Sequence, residues 1–289
     1  MRFAQFAISC LHPPFNIEGD VNTCKFKPFR RRAILFAIVA TILSINTHAQ
    51  TWPPAPITPL PDAPQPEHVT VRGVPMNLLK DQGAIWSSPA RIRDKDFGYL
   101  IPLGLMVTVA MTTDHQVMSE KVSLDKSFND KNTKASNVLV SPFIAAPVVM
   151  YAAGHLAHSE HARETGILTG EALIDSLVVE QGMKLIFMRE RPTTDGARGK
   201  FFQTSVGVDG SFPSNHSMLA WSSAAVLADE YPSRLNTIAF YGVATGVSVT
   251  RVLGQQHFPS DVLVGSAFGW MIGHYVFKKH HRWDPEDYR

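Results

Sequence analysis

The stretch GSFPSNHSMLAW, residues 210–221, sets a proline, a serine, an asparagine and a histidine directly ahead of an apolar run of helical character. A helix that begins this way offers an anion site, because its unpaired first-turn N–H groups and the positive end of its dipole point at one spot. Asn215 stands where a tight phosphate cradle would most easily use glycine. Asparagine tolerates left-handed backbone angles better than most residues, so a strained turn that still presents its N–H is expected at 215.

Working outward, apolar runs recur at 97–113, 138–157, 166–188, 217–228, 235–252 and 262–277. Their lengths fit helices better than strands, and no strand-like alternation dominates. The expected fold is all-α, a single six-helix bundle domain over 77–289. Ahead of it, QTWPPAPITPLPDAPQPEHV and the residues up to 76 form a proline-rich tether, residues 50–76. Residues 112–134, TTDHQVMSEKVSLDKSFNDKNTK, are expected as a polar loop, with a lid over the pocket as one use for it.

Residues 1–49 read as a signal region. In KFKPFRRRAILFAIVATILSINTHAQ, a basic part ends at Arg32, an apolar part follows, and small residues at Thr47 and Ala49 place cleavage before Gln50. An uncleaved N-terminal anchor is the alternative. Both cysteines, Cys10 and Cys24, lie in that region, so the exported chain would carry no disulfide or thiol nucleophile. The expected location is periplasmic, or the periplasmic face of the inner membrane.

The chain has 27 Lys+Arg against 25 Asp+Glu, net +2. Residues 1–49 hold six of those bases and two of the acids, which leaves 21 against 23 in the remainder. A nucleic-acid partner is therefore not expected. For the bilayer, 135–159 is free of charge, and Gly265, Gly269 and Gly273 recur at the spacing of closely packed membrane helices. Against spanning, Glu171, Asp175 and Glu180 interrupt the third run, where each exposed charge costs about 2.5–3.5 kcal/mol at mid-bilayer. The balance falls slightly toward a soluble or membrane-associated domain.

Three short stretches concentrate polar groups. KLIFMRERP puts Lys184 and Arg191 seven residues apart, two turns on one helix face, with Pro192 as the stop. PSNH, 213–216, makes Ser214 a helix cap. TRVLGQQHFPSD supplies Arg251, His257 and Asp261, with Pro259 where a helix can begin and Asp261 in its first turn, near His257. Singly, each has a bland reading as a helix end or a structural pair. Together, three cations, two histidines, a carboxylate and a helix N-terminus are the parts of a phosphoryl-transfer site.

The order and spacing resemble the type 2 phosphatidic acid phosphatase superfamily, which includes bacterial class A acid phosphatases and vanadium haloperoxidases. The resemblance covers roughly 95–280 and rests on Lys, six residues, Arg-Pro; Pro-Ser-Gly-His; and Ser-Arg, five residues, His, three residues, Asp. This chain departs from it at Asn215, for glycine, and Thr250, for serine. The resemblance implies a bundle of that family's type and a phosphohistidine mechanism without metal or cofactor. It makes His257 the nucleophile, Asp261 the partner of its far ring nitrogen, and His216 the acid that protonates the leaving oxygen. Lys184, Arg191, Arg251, Ser214 and the backbone at Asn215 would hold the phosphoryl oxygens. The implied substrate is a phosphate monoester or pyrophosphate, on a lipid or a small molecule. Alternatives are a vanadium haloperoxidase and a non-catalytic phosphate- or lipid-binding protein.

Remaining histidines take the bland reading. His155, His158 and His161 drift round a helix surface as a polar end rather than a metal site, and His280–His281 reads as a solvated tail.

Overall fold

The computed structural model describes residues 69–282. The signal region, its cleavage point, both cysteines and most of the tether therefore lie outside the described residues. Within them the protein is all-helical, with seven α-helices rather than six: α1 Val74–Trp86, α2 Phe97–Gln116, α3 Lys126–Leu156, α4 Glu160–Phe187, α5 Asn215–Glu230, α6 Arg234–Leu253 and α7 Pro259–His280.

Local chemistry sets several helix starts. Asp125 accepts from the Phe128 N–H at the head of α3, Ser159 from Ala162 at α4, and Ser233 from Asn236 at α6. Pro259 opens α7, where a missing N–H costs nothing. The polar stretch 112–134 is a correction: it is not a loop but the end of α2, a short π turn at Val117–Lys121, and the first turns of α3. Only the few residues between that turn and the Asp125 cap are irregular.

α1 is the unforeseen helix. It lies on α4 through polar contacts, Asn77 Nδ2 donating to Glu171 Oε1 at 2.9 Å and Gln82 Nε2 to Asp175 Oδ1 at 2.8 Å. Gly182 gives room for the Trp86 ring. Asp81 of α1 is fully buried and takes up His280 Nε2 at 2.7 Å and Lys279 Nζ at 2.8 Å. His280 is thus an internal residue, contrary to the solvated-tail reading.

α5 is the central helix. Met218 and Val226 pack with Leu168, Val179, Val264, Ile272 and Val276 on one side, while Ala220, Ala224 and Leu227 meet Val140, Phe143 and Val247 on the other. Gly265, Gly269 and Gly273 let α7 touch the α5 backbone. A Cβ on Gly269 would sit 2.3 Å from the Met218 carbonyl oxygen, and one on Gly265 2.7 Å from that of Ser214. This approach lets the Ser214 N–H donate to the Asp261 carbonyl at 3.1 Å, which locks the PSNH and HFPSD segments together. Gly269→Ala must push the two helices apart. The expected loss is about 1–3 kcal/mol of unfolding free energy, read from the urea midpoint at unchanged slope.

Glu171, Asp175 and Glu180 are buried inside the bundle, so they do not count against a bilayer. Among the described residues, two helical segments are long and apolar enough to cross one: 94–121, which includes α2, and α3. Their apolar side chains face outward; Leu105 is 63% and Val148 72% exposed.

Candidate active site

The expected residues meet at one end of the bundle, where α2, α4 and α6 finish and α5 and α7 begin, beside the first third of α3. His257 follows α6 in the short link to α7 and is buried. Its Nδ1 donates to the Ser211 carbonyl at 2.7 Å, which leaves Nε2 as the ring's free lone pair. Burial, then the charges of Arg251, Arg191 and Lys184, hold this imidazole well below its ordinary 6.5, so it is neutral.

Asp261 stands in the first turn of α7, as its spacing after Pro259 predicts. Its Oδ2 is 3.7 Å from His257 Nδ1, close enough for charge support, while the hydrogen bond to the ring belongs to Ser211. The carboxylate instead receives the Phe258 N–H at 2.8 Å and Arg189 Nη1 at 2.6 Å. Burial raises this carboxyl to about 6 against the pull of Arg189, which keeps it ionised at neutral pH.

Arg189 was not singled out in the sequence, although it lies in KLIFMRERP. It is buried and spans two helices, Nη1 reaching Asp261 and Ser260 Oγ, Nη2 reaching Asp114 Oδ2 of α2 at 2.7 Å. Asp114 in turn accepts from the N–H and hydroxyl of Ser260. The guanidinium is covered by the rings of Phe258 and Phe201 at 4.0 and 4.7 Å. Asp114 is the first carboxylate after the apolar run of α2, a signal visible in the sequence; its partner 75 residues away was not.

His216, on the first turn of α5, gives Nε2 to Asn137 Oδ1 of α3 at 2.9 Å. Burial first, then Arg251, His257, Lys184 and Arg191, lower it to about 3. Lys184, near the end of α4, is buried and paired with Glu180 at 2.7 Å. The expectation that Lys184 and Arg191 share a helix face fails. α4 stops at Phe187, Met188 turns left-handed with φ 39°, and Arg191 reaches the pocket from the following loop. There it donates to the carbonyls of Asp209 at 3.0 Å and Gln256 at 3.2 Å. Arg251 is buried with its Nε unpartnered, its nearest hydrogen bond a long 3.4 Å to Ser136 Oγ.

Ser214 occupies the cap position of α5, yet its hydroxyl does not cap the helix. The first-turn N–H groups, which have no intrahelical acceptor, are left for a ligand. Asn215 is the first helical residue and has no positive φ, which corrects the expectation of a strained turn. A side chain here costs no backbone strain. Asn215→Ala is accordingly expected to keep activity within about threefold on a small phosphate ester, since only the N–H is used. A tenfold loss in kcat/KM on that ester would show that the amide itself binds the phosphoryl group. Thr250 turns its hydroxyl back onto Gly246 and Val247 of its own helix, outside the site.

Two neutral imidazoles, His216 and His257, thus lie among three cations, Lys184, Arg191 and Arg251, on an all-α bundle. Residues 166–285 match the family model of the PAP2 superfamily, and that range holds every site residue expected from the sequence. Over this range the chain is similar to the type 2 phosphatidic acid phosphatase superfamily. A 65-residue stretch is 37% identical to a lipid A 1-phosphatase of Porphyromonas gingivalis, covering 22% of this chain and 15% of that protein. The chain therefore matches only a small part of that relative. The crystal structure of a transmembrane PAP2-type phosphatidylglycerolphosphate phosphatase from Bacillus subtilis aligns with 74% of this chain and 97% of its own, at 19% identity and a TM-score of 0.45.

Proposed function

We propose that this protein is a membrane-associated phosphatase that hydrolyses a lipid-linked phosphate monoester or pyrophosphate outside the cytoplasm, through a phosphohistidine on His257. The observation that carries the reading is the convergence of Lys184, Arg191, Arg251, His216 and His257 on one pocket, where the buried Arg251 Nε has no partner. Such a group is costly to bury unless an anion takes it up.

Attack by Nε2 on phosphorus forms the N–P bond as the P–O bond to the leaving group breaks. The positive charge that develops on the ring is met by the Ser211 carbonyl and by the Asp261 carboxylate, held in place by Arg189. His216 is neutral in the free pocket. Burial and then the neighbouring cations lower it; an arriving phosphate dianion offsets those charges and lets the ring carry the proton that the leaving oxygen needs. Water, activated by the same ring, then releases phosphate.

The lipid part rests on where the apolar runs stop. The run of α2 ends at Thr113, and the next residue, Asp114, anchors Arg189; that of α3 starts at Val138, directly after Asn137, which holds His216. These runs, 97–113 and 138–156, would be about 25 and 28 Å long, close to a bilayer's hydrocarbon thickness. With both embedded, the pocket lies at headgroup level.

The test is turnover by the purified full chain on lipid phosphates in mixed micelles and on nitrophenyl phosphate. Vanadate should inhibit both; bromide oxidation with vanadate would indicate a haloperoxidase, and phosphate binding without turnover a binding protein. His216→Ala should lose about 10²–10⁴-fold on alkyl phosphates, and much less on nitrophenyl phosphate, whose leaving oxygen needs little protonation. An equal loss on both substrates would make His216 a binding residue.

A further inference from the structure

At the far end of α5 from His216, about 21 Å along the helix, a second set of ligating side chains meets. Glu164 of α4, Glu230 at the end of α5, and His281 just past α7 each place a donor atom within 4.8 Å of the others. His161 of α4 adds its Nε2 at 2.8 Å from Glu230 Oε2. Both glutamates are buried.

We infer that Glu164, Glu230 and His281 form a structural site for one divalent cation of the zinc class, separate from the phosphoryl-transfer pocket, with His161 holding the other oxygen of Glu230. His281 Nδ1 lies 3.2 Å from Glu230 Oε1 and 3.2 Å from Glu164 Oε1. One N–H cannot serve both oxygens well, and both separations exceed the usual hydrogen-bond length of about 2.9–3.0 Å. They are close to the edge, about 3.3–3.4 Å, of a tetrahedron with metal–ligand bonds of 2.0–2.1 Å. One imidazole nitrogen with two carboxylate oxygens suits zinc, whereas magnesium and calcium prefer oxygen alone.

The surroundings hold the ligands in place. The His161 ring packs on Tyr231 at 4.7 Å and that of His281 on Phe277 at 4.5 Å, while the Arg282 N–H donates to Glu164 Oε1 at 2.6 Å. The ligands come from α4, α5 and the residue just past α7, so a bound ion would tie the start of α4 to the ends of α5 and α7. The other two histidines of the early series do not join: His155 stacks on Tyr151, and His158 sits at the α3–α4 junction with φ 54°.

The experiment strips the purified full chain with chelator, adds Zn²⁺ and reads bound metal per chain and melting temperature. Wild type should bind one Zn²⁺ more than His281→Ala or Glu164→Gln. At a hundredfold excess over Kd its melting temperature should rise by about 5–10 °C, a shift both variants lose. Co²⁺ should give the visible bands of a tetrahedral site in wild type only. His155→Ala should behave as wild type. Equal zinc stoichiometry in wild type and both variants, or no melting shift in wild type, overturns the site. Circular dichroism and turnover on nitrophenyl phosphate show whether each variant is folded; if His281→Ala is not, Glu164→Gln carries the comparison.

Discussion

His257→Ala is expected to lower kcat by at least about 10⁴-fold on every substrate while leaving the fold intact, since removal of a nucleophile that acts with a fixed set of partners costs that much or more. The ring makes one hydrogen bond, to the Ser211 carbonyl, and its other nitrogen faces the cations. Its loss removes a neutral buried group from among like charges, so stability should change little. Helical circular dichroism and the melting temperature check the fold; steady-state kinetics check the loss. Residual turnover within a hundredfold of wild type would remove His257 from the nucleophile's role.

Arg189→Met is expected to lose about 3–5 kcal/mol of stability, together with most activity. The guanidinium joins Asp114 of α2 to Asp261 of α7, and all three groups are buried. Taking out the shared cation leaves two carboxylates unpaired in the interior, which is the costly half of a buried ion-pair network. Arg189→Lys should recover little, because a single ammonium cannot reproduce a planar fork that reaches both acids and Ser260. Asp114→Asn combined with Arg189→Met should recover part of the loss, since one stranded charge is then gone. Urea denaturation reads these effects, and a loss under about 1 kcal/mol for Arg189→Met would show that the network is not what holds Asp261.

These two residues mark the boundary of what the sequence discloses. His257 and Asp261 stand out because they are four residues apart beside a proline that starts a helix, so local chemistry suffices. Arg189 gains its role from Asp114 and Asp261, which lie 75 and 72 residues away, and no local pattern pairs them. Six helices were legible because apolar runs of that length have few other folded forms. α1 was not, because Asn77, Asp81 and Gln82 make its contacts through polar atoms and leave little apolar period to read. The start of α3 was mistaken for loop for the opposite reason: its polar residues are mostly exposed on a helix that continues into an apolar run. Two geometric errors share one cause. Lys184 and Arg191 do not share a face because Met188 reverses the chain, and Asn215 is unstrained because the helix begins at that residue. Spacing located those residues, but only backbone angles decide how they are presented.

The central claim is that His257 carries the phosphoryl group in turnover. The most direct test is rapid alkali quench of the wild-type chain with substrate labelled in the transferred phosphate, followed by peptide mapping. A label that survives alkali, is lost in acid, and sits on the peptide containing His257 is the predicted result. Steady turnover with no trapped label on the millisecond scale, or label on a serine or carboxylate, would contradict it.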